Sequence, residues 1–320
     1  MSLLRDNSEL LFAAIAQTSD ISGVPRDHVE KDFWLTECLR GLTSYGSIHD
    51  IPILFKGGTS LSKAFGLIQR FSEDADMVVV FGEMSKAAAD RHLKGFVAAA
   101  EQATELTAEV DPTTSDTGVT RDVFLTYPGG SATPLVLPRV KIELHTVGGV
   151  KPYERRDLRS ILAEHWSQIE GAPPATDFAE LEPFPADVVA PCRTLVEKLV
   201  LLHEAHTRDG GSASQRKVQT VRHFYDVWCL LQDESILDQL ARENVQMLAR
   251  DVVTYSQVAA YRTAPRPPAG FAVSPAFSTI PTRAVGDAYE RTLATLVWPN
   301  SPSPTLADCQ AAVVALAPQL

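Results

Sequence analysis

Cysteine is scarce in this sequence, and its few copies lie far apart. They are Cys38, Cys192, Cys229 and Cys309, and none belongs to a CxxC pair. Structural zinc sites and disulfide frameworks need cysteines at short, repeated spacings, so we expect neither here. This usage is typical of a chain that works in the reducing cytoplasm.

Long apolar runs and an excess of positive charge are also missing. No stretch reaches 18 apolar residues, and the first residues are not followed by the apolar run of a secretion signal. The net charge of −11 excludes a generally basic nucleic-acid coat, although a local basic patch can still contact phosphates. Hydrophobic residues at 45% and charged residues at 22% are near globular averages, so we expect a soluble folded protein that does not enter a membrane.

The pattern of apolar residues divides the chain of 320 residues into two parts. Strand and helix patterns alternate in the first part, and from Pro191 onwards the pattern is helical. We therefore predict an α+β fold, with a mixed-sheet domain and flanking helices at residues 1–185 and an all-helical domain at residues 186–320. Predicted strands are 51–55, 77–81, 123–127 and 135–146; predicted helices are 3–18, 25–42, 59–67, 85–110, 191–206, 217–231, 238–260, 283–297 and 305–317.

A glycine turn followed by paired aspartates is the most informative stretch. Gly57 and Gly58 end a short apolar run and open a predicted helix, an arrangement in which backbone N–H groups can approach phosphate oxygens. Asp74 and Asp76 lie two residues apart at the head of the next apolar run, so they point to one side of a strand. Two carboxylates on one face can hold Mg²⁺ against a triphosphate.

Both features have ordinary explanations. The glycine turn can be a simple helix cap with Thr59 or Ser60 at the N-cap, and it does not match the P-loop pattern, which disfavours a P-loop ATPase. An isolated pair of aspartates is often a solvated turn. Glu143, between apolar residues of a later predicted strand, fits a third metal-binding and proton-accepting carboxylate as well as it fits the wet face of a strand.

Four stretches together carry a resemblance to a known family. They are His28 to Leu35, Lys56 to Lys63 with Arg70 to Asp76, Thr194 to Leu199, and Arg222 to Trp228. Across roughly residues 25–232 the chain resembles the AbiEii/AbiGii toxin family, which includes the MenT toxins. The resemblance implies a nucleotidyltransferase of the polymerase-β superfamily, with residues 1–185 as the nucleotidyltransferase domain and residues 186–320 completing the active-site cleft.

The resemblance also implies the site residues. Those with a direct counterpart are Gly58, Ser60, Asp74, Asp76, Lys198 and Asp226; with the neighbouring turn, the predicted nucleotide-binding set is Gly57, Gly58, Thr59, Ser60, Lys63 and Lys198. With Glu143, which comes from the strand pattern and not from the resemblance, the predicted metal ligands are Asp74, Asp76 and Glu143, and Lys198 and Asp226 are predicted to join them in catalysis. A lysine can neutralise triphosphate oxygens, and an acidic residue can hold that lysine. Taken alone, Lys198 is a solvated helix residue, and Asp226 can simply pair with Arg222 one turn earlier.

Two basic groups are candidates for RNA contact. They contain Lys151, Arg155, Arg156, Arg216 and Arg222. Arginine and lysine side chains can follow a phosphate backbone, but a solvated helix face explains the same residues.

The expected function follows from the resemblance and not from composition. It is a Mg²⁺- or Mn²⁺-dependent transfer of a nucleoside monophosphate from an NTP to RNA, with the 3′ end of tRNA as the expected acceptor. Translation would be blocked, as part of a toxin–antitoxin or phage-defence pair with a cognate antitoxin. Two alternatives stay open: an NTP-binding regulatory protein without turnover, and a nucleotidyltransferase that modifies a protein hydroxyl.

Overall fold

The computed structural model describes residues 2–72, 74–130, 136–207, 213–258, 263–299 and 301–320. Its contacts divide the chain into two compact units. The first contains residues 1–65, 71–146 and 154–188; the second contains residues 66–70, 147–153 and 189–320. Glu73 and Leu135, which fall inside a motif and a strand considered above, lie outside the described residues.

A seven-stranded mixed sheet forms the centre of the first unit. Its strands are β1 (Ile53–Lys56), β2 (Asp74–Val79), β3 (Ala108–Val110), β4 (Thr120–Thr126), β5 (Arg139–His145), β6 (Tyr153–Leu158) and β7 (Phe184–Val189). Their order across the sheet is β3-β4-β5-β2-β1-β7-β6. β2 is antiparallel to β1 and parallel to β5, while β7 is parallel to β1. The glycine turn and the aspartates therefore lie on neighbouring central strands.

Helices flank this sheet. They are α1 (Ser8–Ser22), α2 (Arg26–Ile48), α3 (Gly57–Lys63), α4 (Lys86–Thr104) and α5 (Ile161–His165). α2 packs closely on α4, and Gly41 makes this approach possible because a Cβ there would lie 2.9 Å from the Cβ of Ala103. α4 begins at a serine N-cap, since the hydroxyl of Ser85 accepts a hydrogen bond from the backbone N–H of Ala88.

The second unit is built mainly of helices. They are α6 (Pro191–Thr207), α7 (Ala213–Gln219), α8 (Arg222–Leu231), α9 (Glu234–Glu243), α10 (Val245–Val258), α11 (Pro275–Ser278), α12 (Arg283–Leu296) and α13 (Leu306–Ala315). α6 packs against α8 and α10, and α8 packs against α13. The last helix begins with a capping box, in which Thr305 and Asp308 satisfy each other's backbone N–H groups.

The predicted fold class is confirmed, while several element boundaries are wrong. The helix expected over 85–110 ends at Thr104 and is followed by the short strand β3. No strand is predicted near Pro185, yet β7 begins at Phe184, and the basic stretch after Lys151 is β6 and not a helix face. Helices expected over 217–231 and 238–260 are each divided in two. The predicted domain boundary between residues 185 and 186 stays a prediction.

Among the described residues, no helix is both long enough and apolar enough to cross a membrane. The four cysteines are all free thiols.

Candidate active site

Ionisable side chains form a row across four neighbouring strands of the sheet. Asp76 on β2 lies opposite Glu143 on β5, which in turn lies opposite Asp122 on β4, and Lys56 on β1 lies opposite Asp76 on its other side. Residues directly opposite each other in a sheet share a face. Asp74 joins this face because it lies two residues before Asp76. The predicted trio of carboxylates is thus on one face, and Asp122 is an additional acidic member that the sequence did not indicate.

The glycine turn lies directly beside Asp76. Gly57 has a φ of +81°, and a Cβ at this position would overlap the Oδ2 atom of Asp76. Thr59 donates its hydroxyl hydrogen to the backbone carbonyl of Asp74, and the Ser60 hydroxyl donates to the carbonyl of Gly57 at 2.9 Å. The turn is therefore fastened to the strand that carries both aspartates.

α3 begins at the first glycine, so the alternative of a Thr59 or Ser60 N-cap is wrong. Gly58, Thr59 and Ser60 all lie inside the first turn of this helix, and Lys56 at the N-cap makes no side-chain cap hydrogen bond. The hydroxyls bond to backbone carbonyls and do not bond to the first N–H groups of the helix.

Lys63, predicted to bind nucleotide, is engaged in an ion pair. Its ammonium lies 2.6 Å from Oδ1 of Asp32 and donates to the carbonyl of Arg159 at 3.1 Å. The other oxygen of Asp32 accepts the backbone N–H of Ile161 at 2.7 Å, at the start of α5. These contacts join α2, α3 and α5, so nucleotide binding by Lys63 stays a prediction that competes with a structural role.

Two carboxylates and an imidazole are close enough to share a cation. Ligand atoms of Asp76, Glu143 and His145 lie within 4.8 Å of one another. Nearby, Asp122 is only 4% exposed, and its Oδ1 atom has no hydrogen-bond partner among the described residues. A buried acceptor without a partner is costly, and a cation or its bound water beside it would satisfy it. The residues present therefore fit a divalent cation, although Asp74 lies outside the closest group.

A second cluster of charges lies inside the helical unit. The carboxylate of Asp226 on α8 contacts Arg70 Nε at 2.6 Å and Lys198 Nζ on α6 at 2.7 Å. His223 Nδ1 lies 3.5 Å from the same carboxylate. Asp226 is fully buried, whereas Arg222 is exposed, so the alternative in which Asp226 simply pairs with Arg222 is wrong.

Comparison with known proteins places the chain in a family. A family model described as nucleotidyl transferase AbiEii toxin, type IV toxin–antitoxin system, matches residues 44–296. The chain belongs to the AbiEii nucleotidyltransferase toxin family. Among solved structures, it is similar to MenT4, a nucleotidyltransferase toxin from Mycobacterium tuberculosis H37Rv, at 17% identity and a TM-score of 0.51. That match covers 95% of this chain and 88% of MenT4. A search of curated proteins found no match.

Membership of the AbiEii family confirms the resemblance seen in the sequence and the predicted enzyme class, nucleotidyltransferase. The family description implies an antitoxin partner and a nucleotide substrate. The likeness to MenT4 supports the fold.

Electrostatics separate the roles of the two close carboxylates in this AbiEii-family chain. Burial raises the pKa of Asp76 to about 7, and the negative charges of Glu143 and Asp74 add to this effect against the attraction of Lys56. The neighbouring His145 imidazole, 3.7 Å from Oε2, and the Lys141 ammonium, which donates to Oε1, hold the pKa of Glu143 well below its usual range. Before a cation binds, Glu143 is therefore ionised at neutral pH, and Asp76 is the one of the pair that takes up a proton as the pH falls through about 7.

Burial also has a strong effect on pKa values in the cluster of charges inside the helical unit. It would raise the pKa of Asp226, but Arg70 and Lys198 overcome it and lower this pKa well below its ordinary value. Burial also lowers the pKa of His223 to about 4, helped by the nearby Lys198, so this histidine is neutral at pH 7. Arg70 is a partner of the predicted Lys198 and Asp226 that sequence reasoning missed, although it lies at the start of the aspartate motif.

The candidate RNA-binding residues do not lie on one helix face. Arg155 and Arg156 are exposed on β6, where Arg155 contacts Asp187 at 3.2 Å. Lys151 is exposed just before that strand, while Arg216 on α7 is half-buried and Arg222 begins α8. Contact with RNA stays a prediction for all five.

Proposed function

We propose that this AbiEii-family chain is a Mg²⁺-dependent enzyme that transfers a nucleoside monophosphate from an NTP to the 3′ end of tRNA and thereby blocks translation. The observation that carries the proposal is the pairing of Asp76 with Glu143 on adjacent strands, with Asp74 on the same face. A protein that only binds nucleotide needs donors for phosphate oxygens, whereas grouped carboxylates are the ligands for metal-assisted phosphoryl chemistry. The grouped carboxylates of this row therefore favour an enzyme over a regulatory protein that binds NTP without turnover.

In the proposed reaction the RNA 3′ hydroxyl oxygen attacks the α-phosphorus of the NTP. The new P–O bond forms as the bond to the β-phosphate oxygen breaks, and pyrophosphate leaves. Asp74, Asp76 and Glu143 would hold the metal with the phosphates, and Glu143, ionised at neutral pH, would also help to accept the hydroxyl proton. When bound, Mg²⁺ would neutralise charge on the attacking and leaving oxygens.

The other predicted residues complete the proposal. The turn at Gly57, Gly58, Thr59 and Ser60, with Lys63, would border the phosphates, and Lys198 would neutralise them. Asp226 holds the Lys198 ammonium at 2.7 Å, which supports a role in orienting it. Lys151, Arg155, Arg156, Arg216 and Arg222 would contact the RNA backbone. A cognate antitoxin is the expected protein partner, in the cytoplasm.

The test is transfer of label from each α-labelled NTP to total tRNA by the purified full chain with Mg²⁺. We expect label on intact tRNA, loss of at least about 10³-fold in Asp74→Ala, and no label on tRNA whose 3′ end has been oxidised with periodate. Asp20→Ala is the matched control, because Asp20 is an exposed residue of α1 with only a 3.8 Å contact to Arg26.

Three outcomes would contradict the proposal. Transfer by Asp74→Ala at the rate of Asp20→Ala would remove the aspartates from the chemistry. NTP binding without transfer would favour the regulatory alternative. Label on a protein in a lysate, with none on tRNA, would favour a protein hydroxyl as acceptor.

A further inference from the structure

The side chain of His145 lies beside the carboxylates of the candidate active site. His145 ends β5 two residues after Glu143, so both side chains project from the same face of the sheet. Its Nε2 atom is 3.7 Å from Oε2 of Glu143, and its side chain is 29% exposed. Solvent and a metal ion can therefore reach this imidazole.

The spacing of these groups is close to that of a cation site. Ligand atoms of Asp76, Glu143 and His145 lie within 4.8 Å of one another. Six-coordinate divalent ions bind oxygen at about 2.1 Å, so ligands on opposite sides of such an ion are about 4.2 Å apart. Small side-chain rotations are enough to close the difference.

An independent observation points to a ligand at the same place. Asp122 lies directly opposite Glu143 on the neighbouring strand, is 4% exposed, and has an Oδ1 atom without a hydrogen-bond partner among the described residues. Buried polar atoms of proteins are nearly always satisfied by a protein group, water or an ion. A hydrated cation held by the next strand would provide the missing partner.

We propose that His145 is a direct ligand of the ion held by Asp76 and Glu143, and that its imidazole strengthens the preference of this site for Mn²⁺ over Mg²⁺. Mg²⁺ favours oxygen ligands in strict octahedral geometry, whereas imidazole nitrogen favours transition-metal ions. The test of the nitrogen ligand is therefore a selective loss of Mn²⁺ affinity when the imidazole is removed. This inference rests on the proposed function only where it assigns the ion to catalysis; the claim that His145 binds the ion does not depend on the reaction.

The experiment measures metal binding to the full chain without nucleotide or RNA. Free Mn²⁺ is followed by electron paramagnetic resonance, and Mg²⁺ affinity by its displacement of Mn²⁺. We expect the wild-type chain to bind Mn²⁺ more tightly than Mg²⁺. In His145→Gln we expect Mn²⁺ affinity to fall at least about tenfold while Mg²⁺ affinity changes less than about threefold. Asp76→Asn should lose both ions.

His49→Gln is the matched control, because His49 is an exposed histidine of the same unit that follows α2. His145→Asp, which replaces the nitrogen ligand by oxygen, should reduce the preference for Mn²⁺ over Mg²⁺ and provides a second variant if His145→Gln does not fold. Equal Mn²⁺ binding by His145→Gln and His49→Gln would overturn the proposal. So would an equal loss of both ions in His145→Gln, or retained binding in Asp76→Asn.

Failure of this inference is distinct from failure of the proposed function. A chain that binds Mn²⁺ through His145 but transfers no label to tRNA would refute the tRNA reaction alone. A chain that labels tRNA but shows no effect of His145→Gln on Mn²⁺ binding would refute the histidine ligand alone.

Discussion

Replacing Gly57 by alanine should disable the site far more than it weakens the fold. Gly57 has a φ of +81°, where an L-residue costs about 1–2 kcal/mol. The new methyl group would overlap Oδ2 of Asp76 and lie 3.1 Å from Cγ and 3.3 Å from Cβ of the same side chain. Since Lys56, the residue before Gly57, and Asp76 lie opposite each other on paired central strands, we expect the Asp76 carboxylate to rotate away by about 1 Å. Displacement of a reacting group by this amount costs about 10²-fold in rate.

A control at a second glycine separates the cost of a positive φ from the effect of the contact with Asp76. Gly23, which ends α1, has a φ of +74°, and a Cβ there would have no heavy atom within 4 Å. Gly23→Ala and Gly57→Ala should therefore lose similar unfolding free energy in urea, about 1–2 kcal/mol each. Only Gly57→Ala should lose transfer of label to tRNA and affinity for Mn²⁺. If Gly57→Ala matches Gly23→Ala in both activities, the contact with Asp76 has no role in the site.

Two further predictions concern buried charges. Arg70→Met should lower the free energy of unfolding in urea by about 3 kcal/mol, because Asp226 loses a buried partner. Replacing Arg70, Lys198 and Asp226 together by apolar residues should lower it less than this single change, because no buried charge is then left unpaired. A larger loss in the triple variant would contradict this reasoning. Burial raises the pKa of Glu37 to about 7, so between pH 4.5 and 7 the folded chain keeps a proton on Glu37 that the unfolded chain releases. Through Glu37, the unfolding free energy of the wild-type chain should therefore fall by at most about 3 kcal/mol as the pH rises over this range. Glu37→Gln should reduce this pH dependence, whereas Glu9→Gln, at an exposed position, should leave it unchanged. Equal pH profiles of the urea midpoint in the two variants would refute the role of Glu37.

Local patterns in the sequence predicted the central part of the site. A glycine pair after a short apolar run and two aspartates before another run are local signals, and strand periodicity places Asp74 and Asp76 on one face. The structure has both features on neighbouring strands, and Glu143 lies opposite Asp76. The family model independently confirms the class of enzyme.

The contacts that the sequence missed are between residues far apart in the chain. Arg70 and Asp226 are separated by 156 positions, and no periodicity in one segment can indicate such a partner. Asp122 and His145 read as ordinary polar residues of strands until the register brings them beside Glu143. β7 was missed because Pro185 lies near its start, where proline is tolerated in a strand but reads as a loop in the sequence.

The row of ionisable groups across the sheet limits how the length of this chain can vary during evolution. Side chains alternate between the two faces of a strand, so one residue inserted within β2 or β5 would turn its carboxylates to the opposite, apolar face. The same insertion would bring apolar residues such as Met77 or Leu144, both completely buried now, to the polar face. Homologous sequences should therefore gain or lose residues in segments such as 111–119, between β3 and β4, and keep both strands at constant length.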